Sequence, residues 1–131
     1  MKLIQLLEIS GTFLHYTSLK SAKKIIKTGF KVSRRGVFGT GVYLTVPGVI
    51  AASKGPHVIE TKIENANLCN DYNNKNAYTE LRTLSKAIYP KDLSLYFLEK
   101  GYDGLDLRKF SFEPQIVIYN LKVIKGVRLS Q

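Results

Sequence analysis

The sequence predicts an α+β domain, and three observations predict it. Short runs of β-branched and aromatic residues, such as Gly41-Val42-Tyr43-Leu44-Thr45 and Gln115-Ile116-Val117-Ile118-Tyr119-Asn120, read as strands. Three other segments, after Ser18, over Tyr78 to Tyr89 and from Pro90, suit helices. These elements follow one another without the regular β-α-β rhythm of a parallel sheet. With 131 residues, 44% apolar and 23% charged, the chain has enough apolar surface for one core and no room for a second. Residues 1–131 are therefore expected to form a single folded domain.

Taken in order, Gly11 to His15 is the first strand, since Thr12-Phe13-Leu14-His15 are mostly strand formers after a glycine. Thr17 or Ser18 then caps a helix. Leu19, Ala22, Ile25 and Ile26 form its apolar stripe, and Lys20, Lys23, Lys24 and Lys27 fall on the opposite face. Gly29 stands where a helix-ending left-handed residue is wanted. Lys31 to Thr40 is a glycine-bearing loop with Arg34 and Arg35, and Gly41 to Thr45 is the second strand. Pro47-Gly48 turns the chain into one or two helical turns over Val49 to Ser53. His57 to Ile63 alternates as a third strand that His57 opens. Asn65 to Asn76 is rich in asparagine and is expected to be a loop.

Pro90 ends the helix over Tyr78 to Tyr89 and starts the next, which turns Leu93, Tyr96 and Phe97 inward and stops at Gly101. Short strands follow over Gly104 to Lys109, Gln115 to Asn120 and Lys122 to Leu129. Tyr102-Asp103 is expected to make a turn that packs on the sheet rather than a catalytic pair.

Charge is unevenly spread. Twenty Lys and Arg against ten Asp and Glu give +10, and +8 of that lies in residues 1–59, where Glu8 is the one acid. Such a field attracts phosphates, in nucleic acid or in a phosphorylated small molecule. No apolar run approaches the roughly 20 residues of a membrane helix. The apolar start meets Glu8 before an export segment could form, so a cytoplasmic protein without a signal peptide is expected. A single cysteine, Cys69, excludes an intramolecular disulfide, and with two histidines it speaks against a structural zinc site.

The order of a few residues carries the reading further. Phe13-Leu-His15-Tyr-Thr17-Ser, a helix, Gly29-Phe30, a basic loop, then Gly36-Val-Phe-Gly39-Thr-Gly41-Val-Tyr43-Leu-Thr resembles the NAD-binding half of the ADP-ribosyltransferase fold. The likeness is to its poly(ADP-ribose) polymerase and diphtheria-toxin branch. Gly101-Tyr-Asp-Gly104 and Pro114-Gln-Ile-Val-Ile-Tyr-Asn120 resemble the ending of many small bacterial and phage members. The matches bracket the chain, while residues 60–100 match nothing specific.

The resemblance implies a compact fold of two packed, mostly antiparallel sheets with flanking helices, and NAD as substrate without a metal. It sets His15 against the adenosine-side ribose and Thr17 on the nicotinamide carboxamide. Tyr43 would stack on the nicotinamide ring, a planar cation suited to an aromatic face. Gly39 and Gly41 would let the backbone approach, Arg34 and Arg35 would meet the pyrophosphate, and Ser53 would join the carboxamide.

The chain departs from the branch at two places. Tyr16 stands where a glycine usually follows the histidine, so its main chain must serve while its ring points away. Gln115 occupies the position of the catalytic glutamate, and Glu113 lies two residues earlier, before Pro114. In one arrangement Glu113 is the carboxylate; in the other Gln115 fills the slot and Glu113 touches the acceptor. A carboxylate on the ribose 2′-hydroxyl stabilises the oxocarbenium-like cation that forms as nicotinamide leaves, whereas a glutamine brings no charge.

The resemblance thus implies a mono-ADP-ribosyltransferase of the stand-alone toxin or phage-effector kind, acting on a macromolecular acceptor, protein or nucleic acid. Two alternatives stand beside it. One is a binding module that keeps NAD or nucleic acid and has lost catalysis, for which Gln115 speaks. The other is an RNA 2′-phosphotransferase, against which Tyr43 and the missing second-strand histidine speak.

Overall fold

The structure, a computed structural model, describes residues 8–31, 40–47, 55–70, 79, 83, 90–108 and 114–130. Seven strands form one sheet: β1 (Ile9–Thr17), β2 (Val42–Thr45), β3 (His57–Ala66), β4 (Leu68–Cys69), β5 (Gly104–Asp106), β6 (Gln115–Ile118) and β7 (Ile124–Leu129). Among the described residues, the helices α1 (Leu19–Thr28) and α2 (Pro90–Glu99) flank it, and a 3-10 turn over Leu121–Val123 leads into β7. The architecture is α+β and mostly sheet.

The strand order is β4-β5-β6-β2-β1-β3-β7, and every pairing except β4 with β5 is antiparallel. β3 and β4 are separated in the chain by Asn67 alone, yet four strands lie between them in the sheet. Two Cα steps reach at most about 7 Å, whereas five flat strand spacings would be about 24 Å. The sheet must therefore curl. Its concave face holds Phe13, Val42, Leu44, Ile63, Ala66, Leu68, Ile116, Ile118 and Val123 in one buried cluster. The expected two packed sheets are thus one continuous sheet, because β2 pairs with both β6 and β1 and joins the halves.

Asp103 closes the curl. Its carboxylate accepts the Asn67 amide at 2.8 Å and Asn120 Nδ2 at 2.8 Å. Its own amide donates to the Asn67 carbonyl at 2.7 Å, and its carbonyl accepts the amides of Tyr119 and Asn120. One residue thereby ties the β3–β4 link to the end of β6. Gly101, at φ 92, lets the chain leave α2 for this turn. A Cβ at Gly104 would collide with the Val117 carbonyl, so glycine is required there. The Gly101-Tyr102-Asp103-Gly104 run is a structural clasp, as its expected turn anticipated.

α2 covers the outer face through Leu93 and Phe97, which pack with Leu105, Val117, Tyr119 and Cys69. Each such fully buried side chain contributes about 1.5–3 kcal/mol. α1 is capped by Ser18, whose Oγ accepts the Ser21 amide at 3.2 Å, and ends at Gly29, φ 84. It packs on β3 and β7.

Three expectations need correction. Asn65, Ala66, Leu68 and Cys69 are strand rather than loop, because Ala66, Leu68 and Cys69 are buried in the core, while 71–76 of the expected loop lies outside the described residues. Asn65 itself adopts φ 52, and its amide donates to Ser10 Oγ at 2.9 Å, where β1 and β3 slip register. Asparagine tolerates that left-handed conformation, so it marks a bend within a strand here. Second, Leu19 and Ile26 are exposed at 45% and 43%. The helix meets the sheet through Ala22, which is fully buried, and the ends of its stripe overhang. Third, β5 ends at Asp106, where Arg108 turns back to hold the Asp106 carboxylate through Nε at 2.9 Å and Nη2 at 2.7 Å. Thr79 and Thr83 are helical, while the rest of the helix expected over 78–89, up to Tyr89, and the turns over 49–53 lie outside the described residues.

Candidate functional site

The three segments that carried the family pattern are neighbours in the sheet, in the order β6-β2-β1. Tyr43 lies opposite Val117 and Thr45 opposite Gln115, so Gln115 is the diagonal neighbour of Tyr43 on the same, outer face. Tyr43 is half-buried against the α2 cluster, and Gln115 is half-buried at the start of β6.

His15 and Thr17 belong to the concave face, two and four residues beyond Phe13, opposite Ile59 and His57. His15 nevertheless reaches its neighbour strand. Its Nδ1 lies 3.1 Å from the Tyr43 carbonyl oxygen. A carbonyl only accepts, so the proton sits on Nδ1, and the tautomer is set by this bond. The ring also meets Phe30 edge-on, with centroids 5.1 Å apart at 86°. β1 and β2 pair with Leu14 opposite Thr45. The histidine ring adds a side-chain link between the two strands. Tyr16 alternates to the outer face, where it is half-buried, away from His15 and Thr17.

The space a Cβ would occupy at Gly41 is filled by the chain itself: Ile118 O at 2.8 Å, Val117 Cγ1 at 2.9 Å and Tyr119 Cδ1 at 3.0 Å. Glycine at 41 is thus required by the approach of β6. Arg34, Arg35, Gly39, Ser53 and Glu113 lie outside the described residues.

Two neighbours of these residues, Phe30 and Tyr119, and one nearby carboxylate, Glu60, were not singled out from sequence. Phe30 fixes the His15 ring, and its place just after the Gly29 stop was the available signal. Tyr119 packs near Tyr43; burial pushes its phenol well above the ordinary tyrosine range, with Tyr43 and then Cys69 adding to the shift. Glu60 is a carboxylate on the outer face, opposite Leu14 and held by Arg128 Nη2 at 2.9 and 3.0 Å. It stands three strands from Gln115, roughly 14 Å, too far to replace a carboxylate at that position.

Among the described residues no three His, Cys, Asp or Glu side chains gather as a metal site. Among them, too, no helix is long and apolar enough to cross a membrane. Comparison of the chain with protein-family models, with curated proteins and with solved structures finds no match.

Proposed function

We propose that the protein is a mono-ADP-ribosyltransferase that cleaves the nicotinamide–ribose bond of NAD and moves one ADP-ribose to a macromolecular acceptor. The observation that carries this reading is the adjacency of β6, β2 and β1, which brings Gln115, Tyr43 and His15 onto three neighbouring strands although 100 positions separate the first and last in the sequence. The residues suit the substrate. Tyr43 offers an aromatic face, Gln115 an amide one diagonal step away on the same face, and His15 a ring of defined tautomer joined to the Tyr43 main chain.

In this reading Tyr43 receives the nicotinamide ring, whose positive charge its π face attracts. His15 and Thr17 lie on the opposite face of the sheet from Tyr43, so they do not reach the ribose or carboxamide of a nucleotide held there. His15 instead positions the Tyr43 strand through its bond to the main chain, and Arg34 and Arg35 meet the pyrophosphate. Glu113, or Gln115 in its place, takes the 2′-hydroxyl as positive charge develops on the ribose carbon. The bond to nicotinamide breaks, the nicotinamide leaves neutral, and an acceptor nucleophile forms the new bond and loses its proton.

The experiment is incubation with labelled NAD and separated protein, DNA and RNA fractions. Label on one fraction, with matching nicotinamide release, is expected; folded protein that releases no nicotinamide and labels none of them overturns the proposal. Gln115 favours a second reading, an NAD-binding module without catalysis. NAD would then raise the melting temperature while no nicotinamide is released.

A further inference from the structure

We propose that α1 and the hollow beside its C-terminal end bind single-stranded nucleic acid, with phosphates along the lysine face and one base against Phe30. This proposal does not depend on the transferase reading, although Phe30 also contacts His15.

Lys20, Lys23, Lys24 and Lys27 share one helix face and are all exposed. None of the four makes an ion pair among the described residues. Their spacing sets like charges three and four residues apart, Lys20 against Lys23 and Lys24, and Lys27 against the same two. Each such pair opposes the helix. No acid stands in the first turn to complement the dipole, and Lys20 sits at the positive end. A face that is merely solvated gains from alternating signs at these spacings; α1 contains no acid at all. Such an array is relieved by a polyanion, and it lies in the half of the chain that holds +8 of the +10 net charge.

The middle of the opposite face of α1 is committed, since Ala22 is fully buried and the helix is seated on β3 and β7, while Leu19 and Ile26 at its ends stay exposed. Two separated apolar side chains are not the continuous apolar face that a membrane-surface helix buries.

Where α1 ends, a hollow of about 310 Å³ opens between Gly29, Phe30, Ile124, Lys125 and Val127. It has an aromatic ring, Phe30, in its wall, which also meets His15 edge-on, and it is lined by the exposed Lys125. Nothing stands within 4 Å of where a Gly29 Cβ would be, so the main chain there is open to approach. An aromatic surface beside a basic track is the arrangement that takes a splayed base with its backbone. Lys20 to Lys27 spans about 10 Å of helix. That is three steps of about 3.4 Å along a strand with stacked bases, and so four phosphates, leaving the next nucleotide at the hollow. A duplex keeps its bases stacked and has none to offer.

The test is fluorescence anisotropy with short labelled single-stranded DNA and RNA and a duplex of the same sequence, without NAD. Single strands should bind more tightly than duplex. Affinity should fall roughly 50-fold between about 50 and about 200 mM salt, as four phosphate contacts on a single strand require. The variant carrying Lys20→Gln, Lys23→Gln, Lys24→Gln and Lys27→Gln should lose most of that dependence. Phe30→Leu should weaken binding about tenfold through lost stacking. If Phe30→Leu fails to fold, Lys125→Glu, at an exposed position, carries the test of the hollow and should weaken binding too. The proposal is overturned by a lysine variant that binds like the parent, by duplex binding as tight as single strand, by Lys125→Glu without effect, or by binding to anionic phosphatidylserine vesicles alone.

Discussion

The imidazole of His15 is bonded through Nδ1 to the main-chain oxygen of Tyr43, 3.1 Å away. The two residues stand on adjacent strands that pair with Leu14 opposite Thr45. A side chain thus adds a cross-strand link between β1 and β2. Removing the His15 ring removes that link, and measurements there should include folding as well as turnover.

His15→Ala is expected to abolish nicotinamide release from NAD. The loss of one hydrogen bond and one edge-on aromatic contact should cost about 1–2 kcal/mol of stability, visible as a lower urea midpoint with an unchanged circular dichroism spectrum. A variant with near-parental turnover removes His15 from the proposed site.

Glu113 and Gln115 are separated by exchange of their chemistry. Glu113→Gln should lower transfer by roughly 10²–10³ while NAD still binds, as expected for one charge lost from a water-poor site. Gln115→Ala should harm acceptor transfer more than NAD cleavage. Turnover that rises in Gln115→Glu, with Glu113→Gln unaffected, assigns the position to Gln115 instead.

Asp103→Ala should destabilise the fold by about 2–4 kcal/mol, because its carboxylate accepts both the Asn67 amide and the Asn120 side-chain amide. Asp103→Asn keeps the shape and one acceptor and should fall between. Equilibrium urea unfolding reads the difference, and an Asp103→Ala protein as stable as the parent contradicts the clasp.

Tyr119 governs part of the alkaline limit. Burial raises its phenol pKa in the folded state, whereas the unfolded side chain titrates near 10. Its contribution is complete below about pH 10 and is lost as pH rises above it, because the unfolded chain then releases a proton that the folded chain retains. The slope is at most about 1.4 kcal/mol per pH unit. Tyr119→Phe should flatten the fall in stability measured from pH 9 to 11, taken as about one unit either side of that titration; an unchanged slope assigns the alkaline transition to other groups.

Local chemistry was legible in the chain by itself. Ser18 caps α1, Gly29 and Gly101 end helices, and Pro90 starts α2, because capping and left-handed stops depend on a few adjacent residues. The β-branched runs became β2 and β6 for the same reason: side-chain alternation is a property of neighbours. The candidate site was visible as an ordered set of residue types, but not as an arrangement. What needed the tertiary structure was everything decided by partners far along the chain. The stretch from Asn65 to Cys69 looks like loop by composition, yet it is strand on both sides of Asn67 because Ala66 and Leu68 meet core residues from β1, β2 and β6. The curl follows from β3 and β4 being one residue apart in sequence and five places apart in the sheet. The division of Tyr43 and Gln115 from His15 and Thr17 onto opposite faces follows from register alone. Shifting a strand by one residue exchanges its faces, and only burial on both sides of this sheet selects which register holds.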